Sequence, residues 1–195
     1  GTLTALKLEP NLDNKGVAIR GRDSRQQLFV TGVYSSGQFR DQTRKVEFSS
    51  NPDGIVKIDS HGMATPVADG ATTITAKDPA SGLLSTLAVT VTGMAGDVPI
   101  NFTNQIVPIF TKLGCNSGGC HGKSSGQNGF KLSLLGFYPD EDYEFLVKEA
   151  RGRRLFPSSP GQSLLLTKPV GKSPHGGGKR METESYEFRL IARWI

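Results

Sequence analysis

Both cysteines of the chain and one of its three histidines lie within seven residues, as Cys115, Cys120 and His121. A Cys-His step followed by glycine is the ending of a c-type haem attachment site, in which each thiol adds to a haem vinyl group and the imidazole binds the iron. The usual motif has two residues between the cysteines, whereas this chain has four, at positions 116–119. The spacing predicts one covalent haem c, with the extra spacer residues bulging outward.

The same residues have two other interpretations. Cys115 and Cys120 could form a small disulfide in an exported protein. They could also join His121 and His175 in a zinc site of two thiolates and two imidazoles, although His175 is remote in the sequence. A haem-free structural or adhesive module with a Cys115–Cys120 disulfide is therefore an alternative to the haem interpretation.

A low-spin haem iron needs a second axial ligand opposite His121, and the second half of the chain offers His175 and Met181. His175 lies in the glycine-rich run 174–178, where the backbone can approach a haem face closely. This favours His175 as the distal ligand, with Met181 as the alternative. Two imidazoles predict a low reduction potential, whereas a methionine ligand raises it. A site with no distal ligand would instead suit a haem enzyme or sensor.

The second half has the apolar spacing of helices. The first predicted helix follows an apolar repeat at Ile106, Ile109, Phe110 and Leu113, with Asn104 as its candidate cap. Further helices are predicted over residues 140–151 and 185–195. The Pro- and Gly-rich stretch 155–180 is predicted to be irregular.

The first half, residues 1–93, has the alternating pattern of strands. The predicted strands cover residues 3–8, 26–34, 45–49, 55–59, 71–76 and 84–92. Turn signals, such as those at residues 14–16 and 51–54, separate these runs. The pattern predicts an antiparallel β-sandwich, followed by a linker at residues 94–100 and a second domain at residues 101–195.

A family resemblance in the first half rests on the runs 27–31, 34–37, 41–43, 56–59 and 70–76. On these runs the half resembles the bacterial Ig-like domain of group 2. The resemblance implies an all-β sandwich of seven strands that serves as a spacer or adhesive module. It carries over no catalytic residues.

The second half resembles c-type cytochromes. Residues 107–110, followed by Cys115 and the Cys-His-Gly run 120–122, are similar to the opening of class I cytochromes c. More closely, the half resembles the planctomycete-type cytochrome c domain, on the runs 129–132, 158–161, 163–166, 174–178 and 186–195. The resemblance implies a mainly α, class I cytochrome c-like domain after the Ig-like sandwich. It points to His175 as the distal ligand, whereas class I cytochromes place a methionine shortly before the last helix, as Met181 is.

Other residues have expected supporting roles. The apolar haem pocket is expected to contain Phe110, Phe130, Phe137 and Trp194. A basic cluster could contact a haem propionate or an acidic redox partner, or form a solvated helix end; its members are Lys148, Arg151, Arg153 and Arg154. His61 is expected to be an exposed turn residue.

Composition excludes several classes of protein. The 195 residues carry a formal charge of only +5, and the basic residues do not alternate with aromatic ones, so we expect no nucleic-acid partner. No run of about 18 apolar residues occurs, so we expect no membrane span. No signal peptide is visible, and both ends fall inside predicted elements, so we expect the native protein to be longer.

The sequence thus predicts a c-type cytochrome module that transfers single electrons to or from a partner protein or a downstream domain, rather than an enzyme. Covalent haem attachment normally occurs outside the cytoplasm, so we expect a periplasmic or cell-surface location. Polysaccharide or other cell-surface material is a candidate ligand of the Ig-like domain.

Overall fold

The computed structural model describes residues 1–11 and 15–195. These residues fold as two units, Gly1–Val98 and Pro99–Ile195, and each unit has its own apolar core. The predicted linker at residues 94–100 spans the boundary between the units, and its Met94 packs against the core of the first unit. Part of the predicted turn at residues 14–16 lies outside the described residues.

The described residues of the first unit form strands and no helices. The strands are β1 (Leu3–Glu9), β2 (Val17–Arg20), β3 (Gln26–Gln27), β4 (Phe29–Tyr34), β5 (Phe39–Asp41), β6 (Glu47–Asn51), β7 (Val56–Ile58), β8 (Met63–Pro66), β9 (Gly70–Lys77) and β10 (Leu84–Thr92). They form three sheets, with the orders β1–β4–β5, β2–β10–β9–β6 and β3–β8–β7. The β2–β10 pair is parallel, and the other pairs are antiparallel.

Alternating apolar side chains from all three sheets form one core. Leu87, Val89 and Val91 of β10 are each 1% exposed, and Leu28 and Val30 are completely buried. Burying a side chain of this size contributes about 1.5–3 kcal/mol, so these alternating runs stabilise the unit. The all-β part of the predicted fold is compatible with this unit, although β2, β5 and β8 were not predicted.

The helices of the second unit are short. In the described residues they are α1 (Val107–Lys112), α2 (Pro139–Val147), α3 (Leu164–Thr167) and α4 (Tyr186–Trp194). The longest have nine residues, and most of the unit lies in turns and irregular segments. The prediction of a mainly α, class I cytochrome c-like domain is therefore wrong. Left-handed backbone at Leu135, Ala150 and Arg151, and the many glycines and prolines of residues 155–180, prevent longer helices.

Two predicted helix boundaries also differ from the structure. A π-helical turn, Phe102–Ile106, precedes α1, and its cap is Asn101 rather than Asn104. The side-chain oxygen of Asn101 accepts a hydrogen bond of 2.8 Å from the N–H of Asn104. The second helix ends at Val147 instead of residue 151, because the backbone at Ala150 turns left-handed.

A buried carboxylate ties α2 to the segment before it. Asp142 is completely buried, and its oxygens accept hydrogen bonds from the N–H and the hydroxyl of Ser133, the latter at 2.8 Å. The Ser133 hydroxyl oxygen in turn accepts from the N–H of Tyr138 at 2.9 Å. Burial raises the pKa of Asp142, because it penalises the charged form.

Candidate functional site

The two cysteines lie in a loop that begins at the end of α1 and closes on itself. We call residues 114–122 the Cys–His loop. The N–H of Cys115 donates to the carbonyl of Phe110 at 2.8 Å, and the N–H of His121 donates to the carbonyl of Cys115 at 3.0 Å. A main-chain hydrogen bond therefore joins the first cysteine to the histidine.

Buried contacts fix the conformation of residues 116–119, the spacer between the two cysteines. Asn116 has no exposed surface; its Nδ2 donates to Oγ1 of Thr111 at 2.9 Å, and its carbonyl accepts from the N–H of Leu135 at 3.0 Å. A Cβ on Gly122 would lie 2.0 Å from the carbonyl oxygen of Asn116, so only glycine fits there. The two spacer glycines are exposed, in keeping with an outward bulge. The burial of Asn116 was not expected.

Both thiols are free. Cys115 and Cys120 are partly buried and unpaired in the structure, so the disulfide that was the alternative to the haem interpretation is not present. Burial raises the pKa of the Cys115 thiol to about 11, and the positive charge of Arg180 opposes this shift. The Cys115 thiol is therefore protonated at neutral pH.

His121 is held as a neutral imidazole with one free nitrogen. Its Nδ1 donates to the carbonyl of Phe130 at 3.0 Å, and the two rings pack with centres 4.5 Å apart. Burial is the main cause that lowers the pKa of His121. Because a carbonyl only accepts, Nδ1 carries the proton and Nε2 keeps its lone pair for a metal ion.

The ring of His175 is held by a hydrogen bond within its own turn. We call residues 174–178 the His175 loop. Nδ1 of His175 donates to the carbonyl of Gly178 at 2.8 Å, and the N–H of Gly178 donates to the carbonyl of His175 at 2.9 Å. The imidazole lies against Gly177, where an added Cβ would be 3.0 Å from Cε1 of the ring. The bond to Gly178 engages Nδ1 of the ring and not Nε2.

The imidazole rings of His121 and His175 are nearly parallel and line the same cavity. The ring centres of His121 and His175 are 6.5 Å apart, and the ring planes differ by 7°. Within the described residues, no group of three or more His, Cys, Asp or Glu side chains is arranged to hold a metal ion. The zinc site that would combine both thiols with both imidazoles is therefore not formed.

A cavity of about 800 Å³ contains the predicted site residues. Its wall includes Cys115, Cys120, His121, His175 and Met181. The apolar side chains of the wall include those of Phe110, Phe130, Leu132 and Leu165. Among the described residues, every charged side chain that lines the cavity is basic; these side chains are Arg153, Arg154, Lys168 and Arg180. The cavity therefore suits a large, mainly apolar ligand that carries negative charge.

Some predicted residues lie elsewhere. Phe137 is 74% exposed, and Trp194 packs against Phe102 with ring centres 5.1 Å apart; neither lines the cavity. Met181 lines the cavity but is only 7% exposed and belongs to the core of the second unit. His61 is exposed in its turn, as expected.

The predicted basic cluster is divided between two environments. Lys148 pairs with Glu144 at the exposed end of α2, at 2.7 Å, and Arg151 is exposed. Arg153 lines the cavity while remaining exposed. Arg154 is only 4% exposed, so its environment differs from that of a solvated helix end.

Arg154 supports the residue that holds His121, a role that sequence reasoning missed. Its Nη1 donates to the carbonyls of Phe145 and Glu149, at 2.9 and 3.2 Å, and its guanidinium lies 4.5 Å from the ring centre of Phe130. Phe130 supplies the carbonyl that accepts from His121. The only sequence signal for Arg154 was its place in a basic cluster.

Comparisons with known proteins found neither a matching family model nor a matching curated protein. Within the described residues, the chain has no helix that combines the length and apolar character needed to cross a membrane.

Proposed function

We propose that the second unit is a monohaem c-type electron carrier. Cys115 and Cys120 would hold the haem through thioether bonds, and His121 and His175 would supply the two imidazole ligands of its iron. The pair of near-parallel imidazoles on one cavity, with centres 6.5 Å apart, is the observation that carries this proposal.

The distance between the ring centres is close to the value expected for two imidazoles that bind one metal ion from opposite sides. A metal–imidazole bond of about 2.0 Å, with about 1.2 Å from the nitrogen to the ring centre, places the centres of two opposed imidazoles about 6.4 Å apart. The observed 6.5 Å is close to this value. Rings of His121 and His175 in direct face-to-face contact would instead be separated by about 3.5–4 Å.

The character of the cavity also supports a haem. Its volume of about 800 Å³ lies in the range of about 300–1,000 Å³ typical of ligand sites. The apolar wall suits the porphyrin ring, and the basic side chains suit two propionates, since charge-assisted hydrogen bonds to carboxylates are strong. Arg153, Lys168 and Arg180 are the candidate propionate partners. Arg154 is less suited, because it is only 4% exposed and its guanidinium bonds the carbonyls of Gly129, Phe145 and Glu149.

The bound haem would supply reversible one-electron chemistry at its iron. The chain's own contribution is to orient the ligands and exclude water. The carbonyls of Phe130 and Gly178 fix the tautomers of His121 and His175, and such outer contacts increase the basicity of a ligand. Two imidazoles give a lower reduction potential than one imidazole with Met181 would.

The proposal extends to the context in which the module works. A redox partner protein or a downstream domain would exchange electrons with it, and the protein would be exported to the periplasm or the cell surface. The first unit would act as a spacer or adhesive module for the second. This extension is supported by the place of covalent haem attachment, which normally lies outside the cytoplasm.

A visible absorption spectrum of the chain, produced in a host that attaches c-type haem, tests the proposal. We expect sharp α and β bands in the reduced protein and colour that survives acid–acetone extraction. Replacing both Cys115 and Cys120 with serine should make the colour extractable. A chain without a Soret band after correct maturation would show that the haem proposal is wrong.

Two substitutions test the distal ligand. His175→Ala should open the site, so that the oxidised spectrum becomes high-spin and the ferrous protein binds CO. Met181→Leu keeps an apolar side chain of similar size in the core and should leave the spectrum low-spin. The opposite pattern would reassign the distal position to Met181.

A further inference from the structure

The side chain of Arg180 bonds one loop of the site and lies near the other. Its Nε donates to the carbonyl of Gly177 at 2.8 Å, within the His175 loop. Its positive charge acts on the thiol of Cys115, and its Nη1 is 3.9 Å from the position that a Cβ added to Gly114 would occupy, so the guanidinium lies near the Cys–His loop. Its own N–H is anchored on the carbonyl of Pro169 at 2.7 Å. One guanidinium thus bonds the segment that carries His175 and lies near the segment that carries His121.

We infer that Arg180 is a positioning residue that fixes the separation of His121 and His175. The inference rests on the proposed haem function and assigns within it the residue that keeps the distal imidazole in place. A glycine-rich loop has little stiffness of its own, because glycine restricts the backbone least. The His175 loop therefore depends on external contacts such as the one from Arg180.

The rigid fork of arginine is suited to this role. A guanidinium presents several donors in one plane, so Nε can bond one carbonyl while the Nη groups reach a second segment. Lysine at this position would keep the charge but present a single ammonium on a flexible stem. Arg180→Lys therefore separates the positioning role from the effect of a positive charge near the iron.

Three variants of the haem-containing chain test the inference. Arg180→Lys keeps the charge, Arg180→Gln removes it, and Lys179→Gln removes the neighbouring charge, which pairs with Glu182 at 2.7 Å. We expect a high-spin fraction and CO association on the order of tenfold faster in both Arg180 variants, because the distal imidazole leaves the iron more often. Lys179→Gln should behave as the unmodified chain does. CO kinetics unchanged in Arg180→Lys would overturn the inference and leave Arg180 with a charge effect only.

A second readout needs no haem. The amide of Gly178 is bonded to the carbonyl of His175, and its hydrogen exchange in the unloaded full-length chain reports how well the His175 loop is ordered. We expect exchange on the order of tenfold faster in Arg180→Lys than in Lys179→Gln. Equal exchange rates would overturn the inference even in a haem-binding chain. A missing Soret band in the unmodified chain would instead refute the proposed function and, with it, any role of Arg180 toward an iron.

Discussion

Gly177→Ala should displace the imidazole of His175 without changing any charge. The added Cβ would lie 3.0 Å from Cε1 and 3.2 Å from Nε2 of that ring. Ordinary contacts begin at 3.4 Å, so the ring has to move by about 0.4 Å or more. Metal–ligand distances vary by only about 0.2 Å. The displacement therefore exceeds what an axial bond to His175 would absorb.

If the chain carries the proposed haem, the assay is the spin state of the oxidised protein and the rate at which the ferrous protein binds CO. We expect a high-spin component in Gly177→Ala and CO association on the order of tenfold faster, equivalent to about 1.4 kcal/mol. Gly161→Ala is the control, because a Cβ on Gly161 meets no atom within 4 Å and Gly161 does not line the cavity. Identical spectra and CO kinetics in both variants would refute the displacement of His175.

Two further predictions concern the supports of the site. Gly122→Ala would place a Cβ 2.0 Å from the carbonyl oxygen of Asn116, so we expect intact mass to show no covalent haem. Gly161→Ala, whose Cβ meets nothing within 4 Å, should attach haem normally; a haem-containing Gly122→Ala would contradict the prediction. Burial raises the pKa of Asp142 above its ordinary 3.8, so the folded unit binds this proton more tightly than the unfolded chain does. The contribution of Asp142 to the free energy of unfolding should therefore fall as pH rises from 3.8 through the raised pKa. Asp142→Asn should remove this pH-dependent contribution. Urea unfolding at a series of pH values, followed by the fluorescence of Trp194, the single tryptophan, measures the free energy of unfolding of the unmodified chain and of Asp142→Asn. The same pH dependence in both chains would contradict the prediction.

Strands with regular alternation could be predicted from the sequence. The period of two at Leu87, Val89 and Val91 is confirmed by their burial on one face of β10. Val17–Arg20 escaped prediction because it has only four residues, and its strand conformation comes from parallel pairing with β10. Met63–Pro66 escaped because a proline ends the run, which argues against a strand in the sequence alone.

Helix ends were predicted less well, for a physical reason. Ala150 and Arg151 are both good helix formers, yet both adopt left-handed backbone after α2. Composition gives no signal for such a turn, because the surrounding packing imposes it. Arg154, whose Nη1 donates to the carbonyls of Phe145 and Glu149, contributes to that packing.

The residue types of the candidate site could be read in the sequence, but the meeting of these residues in one cavity could not. The Cys-His step identifies Cys115, Cys120 and His121 by type and spacing alone. The distance between His121 and His175 depends on loops and turns that have no periodicity to read. Phe137 shows the same limit, since an aromatic residue near the motif was expected in the pocket and is 74% exposed.

The four-residue spacer does not separate the residues that it joins. The N–H of His121 donates to the carbonyl of Cys115, so the histidine is held beside the first cysteine even with four residues between the two cysteines. Part of the extra length is accommodated by Asn116, which is turned inward and buried. Its side chain donates to the hydroxyl of Thr111, and its main-chain carbonyl accepts from the N–H of Leu135. The exposed glycines take up the rest. Because a main-chain hydrogen bond joins the loop ends and the additional residues are packed inward or turned outward, the longer spacing still brings His121 back to Cys115.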